Sequence, residues 1–265
     1  SSRLDFNGNA IGAAGPHAVT SLSDGTKFKY DQNGNMLQLK KGVQTTYYDY
    51  DQENRLVSIR DQQGGDNAVM VAGYVYDGDG GRVKKVVYKR EKALYNTNDY
   101  LPALYYNLDG SPFPATDDNP TIVTTKYIGN LYEEEDHGTK GTLRKSQFVY
   151  MGSSRVAVLG GAGSSLMFYH NDHLGGTNVL SDATGTKRDL TEYDPFGLVV
   201  KHERYGADFN TIWAGFTGKN LDDESGLMFY GARYYNPKLG RFITPDTIIP
   251  DPAKSHSFNR YSYCD

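Results

Sequence analysis

Tyr30-Asp31-Gln32-Asn33-Gly34-Asn35, Tyr50-Asp51-Gln52-Glu53-Asn54-Arg55 and Tyr76-Asp77-Gly78-Asp79-Gly80-Gly81 are three versions of one pattern, with their tyrosines twenty and twenty-six residues apart. Alternating stretches flank the first two, Lys27-Phe28-Lys29-Tyr30 and Tyr47-Tyr48-Asp49-Tyr50 before, Met36-Leu37-Gln38-Leu39 and Leu56-Val57-Ser58-Ile59 after. Alternation with period two is a strand half-buried on one face. Asp bonds its own backbone two residues on, and Asn or Gly accepts the left-handed conformation that reverses the chain. The unit is therefore strand, turn, strand, with hairpin turns predicted at Asn33-Gly34, Glu53-Asn54 and Asp79-Gly80. An isolated hairpin is marginal in water, so such units must add edge to edge into one growing sheet.

Further along the pattern loosens, at Lys126-Tyr127-Ile128-Gly129-Asn130 and Phe148-Val149-Tyr150-Met151-Gly152, and sharpens again at Tyr193-Asp194-Pro195-Phe196-Gly197. Before these, between the Tyr76 turn and Lys126, Pro102, Pro112, Pro114 and Pro120 with Asp117-Asp118-Asn119 predict an inserted surface loop. Composition agrees with an all-β chain of short strands: 22 Tyr and 30 Gly among 265 residues, with one Trp. A net charge of −4 provides no basic field for a nucleic acid or an anionic membrane. Nor is there an apolar run of about 18 residues to span a bilayer. Cys264 is the single cysteine, so no internal disulfide forms. The opening Ser1-Ser2-Arg3 and the closing Tyr263-Cys264-Asp265 read as the ends of an excised segment.

Several stretches invite chemistry. On a strand, His170 and Asp172 of His170-Asn171-Asp172-His173 would share a face, as metal ligands can, but no second cluster completes a set of three or four. Asp77-Gly78-Asp79-Gly80-Gly81 has the look of a calcium loop without its terminal bidentate Glu, and reads as a turn. Glu133-Glu134-Glu135-Asp136-His137-Gly138 reads as a solvated hairpin end. Arg233, Arg241, Phe229, Tyr230, Tyr234, Tyr235 and Phe242 could form a stacking groove, although aromatics at strand spacing are more often core. Serine-hydrolase elbows, phosphate loops, Cys-x-x-Cys pairs and dinucleotide fingerprints are all missing from the sequence. No cofactor is predicted.

The Tyr-Asp turns, Tyr169-His170-Asn171-Asp172-His173-Leu174-Gly175-Gly176-Thr177 and, above all, the run from Ser225 through Gly226-Leu227-Met228-Phe229-Tyr230-Gly231-Ala232-Arg233-Tyr234-Tyr235 to Asp246 closely resemble the RHS/YD-repeat proteins and their RHS-associated core. The resemblance implies a spiral β-sheet wound into a hollow shell, as in toxin-complex C components, bacterial polymorphic toxins and teneurins. It divides the chain into repeat strands over 1–90, an inserted loop over 91–124, further strands over 125–224 and the core over 225–265. Its partners would be other shell segments and a C-terminal toxin segment of the same polypeptide, and its location secreted or cell-surface. In bacterial members the core is also an aspartic autoprotease working through two Asp-Pro-x-Gly motifs. Asp246 occupies the first aspartate position, followed here by Thr247, and Asp251-Pro252 has Lys254 where glycine would fall. Aspartyl chemistry needs a second carboxyl nearby, for which Asp251 and Asp265 are the local candidates. The competing reading is an extracellular adhesion or glycan-recognition module using exposed tyrosines.

Overall fold

The computed structural model describes residues 16–63, 67–89, 120–138, 141, 143–160, 165–205, 215–249 and 253–264. Among them there is no α-helix, and strands dominate. The first six strands are β1 (Lys27–Tyr30), β2 (Met36–Lys41), β3 (Gln44–Tyr50), β4 (Leu56–Gln63), β5 (Val69–Tyr76) and β6 (Arg82–Lys89). Next come β7 (Thr121–Ile128), β8 (Tyr132–Asp136), β9 (Arg144–Met151), β10 (Ser154–Gly160), β11 (Ser165–Asn171), β12 (Thr177–Asp182), β13 (Lys187–Tyr193) and β14 (Val199–Arg204). These fourteen form one antiparallel sheet in strict sequence order, each strand paired with the next. A second sheet holds β15 (Asn220–Asp222), β16 (Leu227–Phe229), β17 (Tyr234–Asn236) and β18 (Arg241–Phe242). Of the segment read as an insertion, residues 91–119 lie outside the described residues, and the chain is in β7 from Thr121.

All three predicted turns are present. Gly34, Asn54 and Gly80 donate their backbone N–H to the carbonyls of Asp31, Asp51 and Asp77, and each sits at positive φ. The repeat selects aspartate because its carboxylate gathers the turn's remaining amides: Asp51 Oδ1 accepts from Glu53 and Arg55, Asp77 Oδ1 from Asp79 and Gly81, each within 3.1 Å. Asp172 and Asp194 do the same between β11 and β12 and between β13 and β14. In an up-and-down sheet every second hairpin turns at the same edge, so these five turns share one rim.

One face of the fourteen strands is apolar enough to pack. Phe28, Tyr30, Met36, Tyr48, Leu56, Ile59, Val71 and Tyr74 join Leu227, Tyr234, Ile243 and Tyr261 in the main core. A second cluster, Phe148, Val158, Met167, Tyr169 and Leu180, lies on the same face of β9–β12, and a third, Phe216, Met228, Tyr235 and Phe242, belongs mostly to the small sheet. The small sheet thus supplies the apolar partner without which one face of so long a sheet would remain wet.

Candidate functional site

The site is the junction between the small sheet and the rim of aspartate turns. Around that rim the contacts begin at the β1–β2 turn, where the Tyr261 hydroxyl donates to the Gly34 carbonyl at 2.7 Å. They continue at β5, where the hydroxyls of Tyr76 and Tyr234 meet at 3.4 Å, and at β8 and β10, where Asn220 bridges Glu133 and Arg155. They finish at the β13–β14 turn, where the Tyr235 hydroxyl donates to the Phe196 carbonyl at 2.8 Å and Phe216 lies against Gly197. The long sheet therefore curls around the short one from its second strand to its last turn.

At the centre of the junction lies a buried ion cluster. A register shift at Tyr76 lets Arg82 of β6 point inward at the strand's start, and Lys85 follows it on the same face beside Tyr74. The Asp222 carboxylate, at the end of β15, bonds the Arg82 guanidinium through Oδ2 and Lys85 Nζ through Oδ1 at 2.9 Å. Only 2% of the Arg82 side chain and 1% of the Asp222 side chain is exposed. Lys85 reaches Glu224 at 3.3 Å, and Arg82 also donates to the hydroxyls of Tyr234 and Tyr127 while its guanidinium lies 4.3 Å from the Phe229 ring centre. Burial pushes the Asp222 carboxyl up, but the Arg82 and Lys85 charges more than reverse this and hold it below its usual range. Glu224 accepts from the Tyr74 hydroxyl at 3.4 Å and has Lys85 as its neighbouring cation; burial prevails over that charge and its carboxyl is raised. Burial raises Glu133 as well.

Nothing in the sequence reading singled out this cluster. Arg82 and Lys85 stand in the basic-looking Arg82-Val83-Lys84-Lys85, and Asp222-Asp223-Glu224 resembles a solvated turn. The available signal was the alternation that puts Lys85 on the same face as Val87, one face of β6 being needed for the core. Glu133–Asp136 also differs from expectation, lying in the central part of the sheet as β8, with Glu135 paired to His137 and Arg144, rather than at a hairpin end.

Asp246 follows β18. Its Oδ2 lies 2.9 Å from Arg233 Nη2, its Oδ1 accepts from the Ile248 amide at 3.0 Å, and its own amide donates to the Arg260 carbonyl at 2.7 Å. Arg233 is stacked 3.8 Å from the Phe242 ring centre. Nearby in the chain, Arg233 Nη1, Thr244 Oγ1 and Asn259 Oδ1 are buried with no hydrogen-bond partner among the described residues, which is costly for polar atoms. Asp251 and Asp265 lie outside the described residues. Among the described residues no three metal-ligating side chains gather: His170 bonds Ser181, whereas Asp172 caps its turn. Tyr234, Tyr235 and Phe242 are buried core rather than an open stacking groove.

Residues 139–265 match the Teneurin YD-shell family model. Over that stretch, just under half of its length, the chain is similar to YD shells, in line with the resemblance its repeats carry. The tRNA nuclease WapA of Bacillus subtilis strain 168 is 26% identical to this chain over 248 residues, 92% of the chain but 9% of WapA. The toxin protein Tse5 of Pseudomonas aeruginosa is 36% identical over 93 residues, which are 35% of the chain and 7% of Tse5. Among solved structures, the crystal structure of TcdB2-TccC3-TEV superposes with a TM-score of 0.63 at 21% identity, covering 88% of this chain and 10% of that one, a likeness of fold. The chain therefore spans about a tenth of the length of its first relatives. Its similarity is to a YD shell and to proteins that include toxins.

Proposed function

We propose that this chain closes one end of a YD-repeat shell that encloses or presents a toxin polypeptide carried C-terminal to it, with β15–β18 as the stopper. One observation carries the reading: the small sheet and the segment after it contact the long sheet from the β1–β2 turn to the β13–β14 turn, along the side where the aspartate turns lie. On this reading residues 1–90 and 125–224 are shell strands, 91–124 an insertion and 225–265 the core. Other shell segments and the enclosed polypeptide are its partners, and the assembly works outside the cell or at its surface. The burial of Tyr234 and Tyr235 in the core favours the shell reading over a sugar-stacking groove in this run.

Asp246 serves this function as one carboxyl of an aspartic self-cleavage site in the longer parent, with Arg233 holding it and the unpartnered Arg233 Nη1, Thr244 and Asn259 receiving the segment that completes the site. In the parent expressed as wild type and as Asp246→Asn, release of the C-terminal segment is read by gel and mass spectrometry. A general acid or base contributes about 100- to 10,000-fold, so the Asn variant should lose processing almost completely while the shell stays folded. Equal processing in both proteins refutes the role of Asp246. An unprocessed wild type leaves the stopper without protease chemistry. The closure itself is tested by protease access to the C-terminal segment, which should be resistant while the shell is intact.

A further inference from the structure

Alternation along β7–β11 leaves a second apolar surface, on the face turned away from the small sheet. Residues paired across strands share a face, so Val149 of β9, Ala157 of β10 and Phe168 of β11 form one row. The neighbouring row runs from Ile128 through Tyr132 and Gln147 to Leu159 and Leu166. Met151 extends the first row's side of the patch. On the opposite face of these strands Phe148, Val158, Met167 and Tyr169 are core, and the outward residues remain exposed among the described residues: Met151 is 75% exposed, Ile128 67% and Phe168 39%. Lys126, bonded to Glu134 at 3.6 Å, and Lys145 lie along the flank on the same face.

The exposed parts of Ile128, Val149, Met151, Leu159, Leu166 and Phe168 amount to roughly 550 Å², at the upper end of what a soluble monomer shows in one patch. With the intervening Tyr132 and Gln147 the area reaches roughly 700 Å², close to what each side of a stable protein–protein interface buries. An apolar centre flanked by charged residues is the anatomy of such an interface. The surface is the face of a pleated sheet, whose best-fitting complement is another pleated face at about 10 Å.

We propose that a second copy of this chain covers this surface, the two sheets packing face to face in a symmetric dimer. An isologous contact uses the same patch on both copies and closes at two, whereas pairing through the free edge of β14 would be open-ended and give longer assemblies. The 265-residue chain, kept reduced because Cys264 is exposed, is examined by sedimentation velocity across roughly 1 to 100 μM. The expected result is a monomer–dimer equilibrium with no larger species. Phe168→Glu with Leu159→Glu should weaken dimerisation at least 100-fold, and Lys201→Pro in the edge strand β14 should leave it unchanged. Met151→Glu alters a side chain too exposed to disturb folding, and should also weaken the dimer, by about tenfold or more. A chain that is monomeric throughout overturns the proposal. So does a ladder of larger species abolished by Lys201→Pro, or a dimer indifferent to Met151→Glu in a protein whose circular dichroism is unchanged.

Discussion

Replacing Arg82 by Met removes the cation that Asp222 was buried against while keeping most of the side-chain volume. Asp222 then keeps Lys85 at 2.9 Å but loses its guanidinium bonds, and the Tyr234 and Tyr127 hydroxyls lose a donor. Breaking a buried ion pair from one side costs about 3–5 kcal/mol, because the surviving charge is left in a site that water cannot reach. Lys85 reduces that cost, and the lost contact with Phe229 adds about 1 kcal/mol, so a loss of about 3 kcal/mol is expected. Since whole domains are stable by about 5–15 kcal/mol, this is a large fraction. Urea unfolding reads the total. Hydrogen exchange at β16 and β17 reads where it falls, and should show the small sheet loosening before β2–β4. The double variant Arg82→Met with Asp222→Leu is the decisive control, since replacing both charges with apolar groups of similar size is often neutral. A loss under about 1 kcal/mol for Arg82→Met alone, or a double variant as unstable as the sum of the singles, would refute the view that the pair holds the two sheets together.

Gly34→Ala should destabilise more than Gly42→Ala. Both positions have positive φ, but a Cβ at Gly34 would stand 2.7 Å from the Tyr261 hydroxyl, whereas Gly42 faces open space. Thermal melting should separate them by about 1–2 kcal/mol, and equal shifts would mean that the Tyr261 contact is not made. Stability should also change with pH in two opposite steps. Glu224 and Glu133, raised by burial, take up protons more readily folded than unfolded, so stability should rise as pH falls from neutral toward the ordinary carboxylate range. Asp222 is lowered, so its contribution is present above the unfolded carboxylate value and is lost as pH falls through the folded one. Urea midpoints measured from pH 7 to pH 3 should therefore pass through a maximum in mild acid, and a steady decline from pH 7 would contradict the assignment.

The repeat itself was legible in the sequence. Each Tyr-Asp turn is a local structure whose aspartate satisfies its own backbone amides, and the flanking alternation fixes which face is buried, so strand order and the one-rim placement of the turns follow from neighbours in the chain. The run from Ser225 to Asp246 was legible in another way, through its resemblance to the RHS-associated core, while its aromatics at strand spacing read as core. What the sequence could not determine was how those two parts meet. Arg82 and Asp222 are 140 residues apart, and neither carries any local mark of burial. Their pairing exists only because the long sheet curls around the short one, and only that enclosure turns a surface-like Arg and a turn-like Asp into a desolvated pair. Asp246 shows the same division: its position in the pattern was plain from the sequence, but its bonds to Arg233 and to the Arg260 carbonyl arise from the pairing of β17 with β18 and the return of the chain at Arg260.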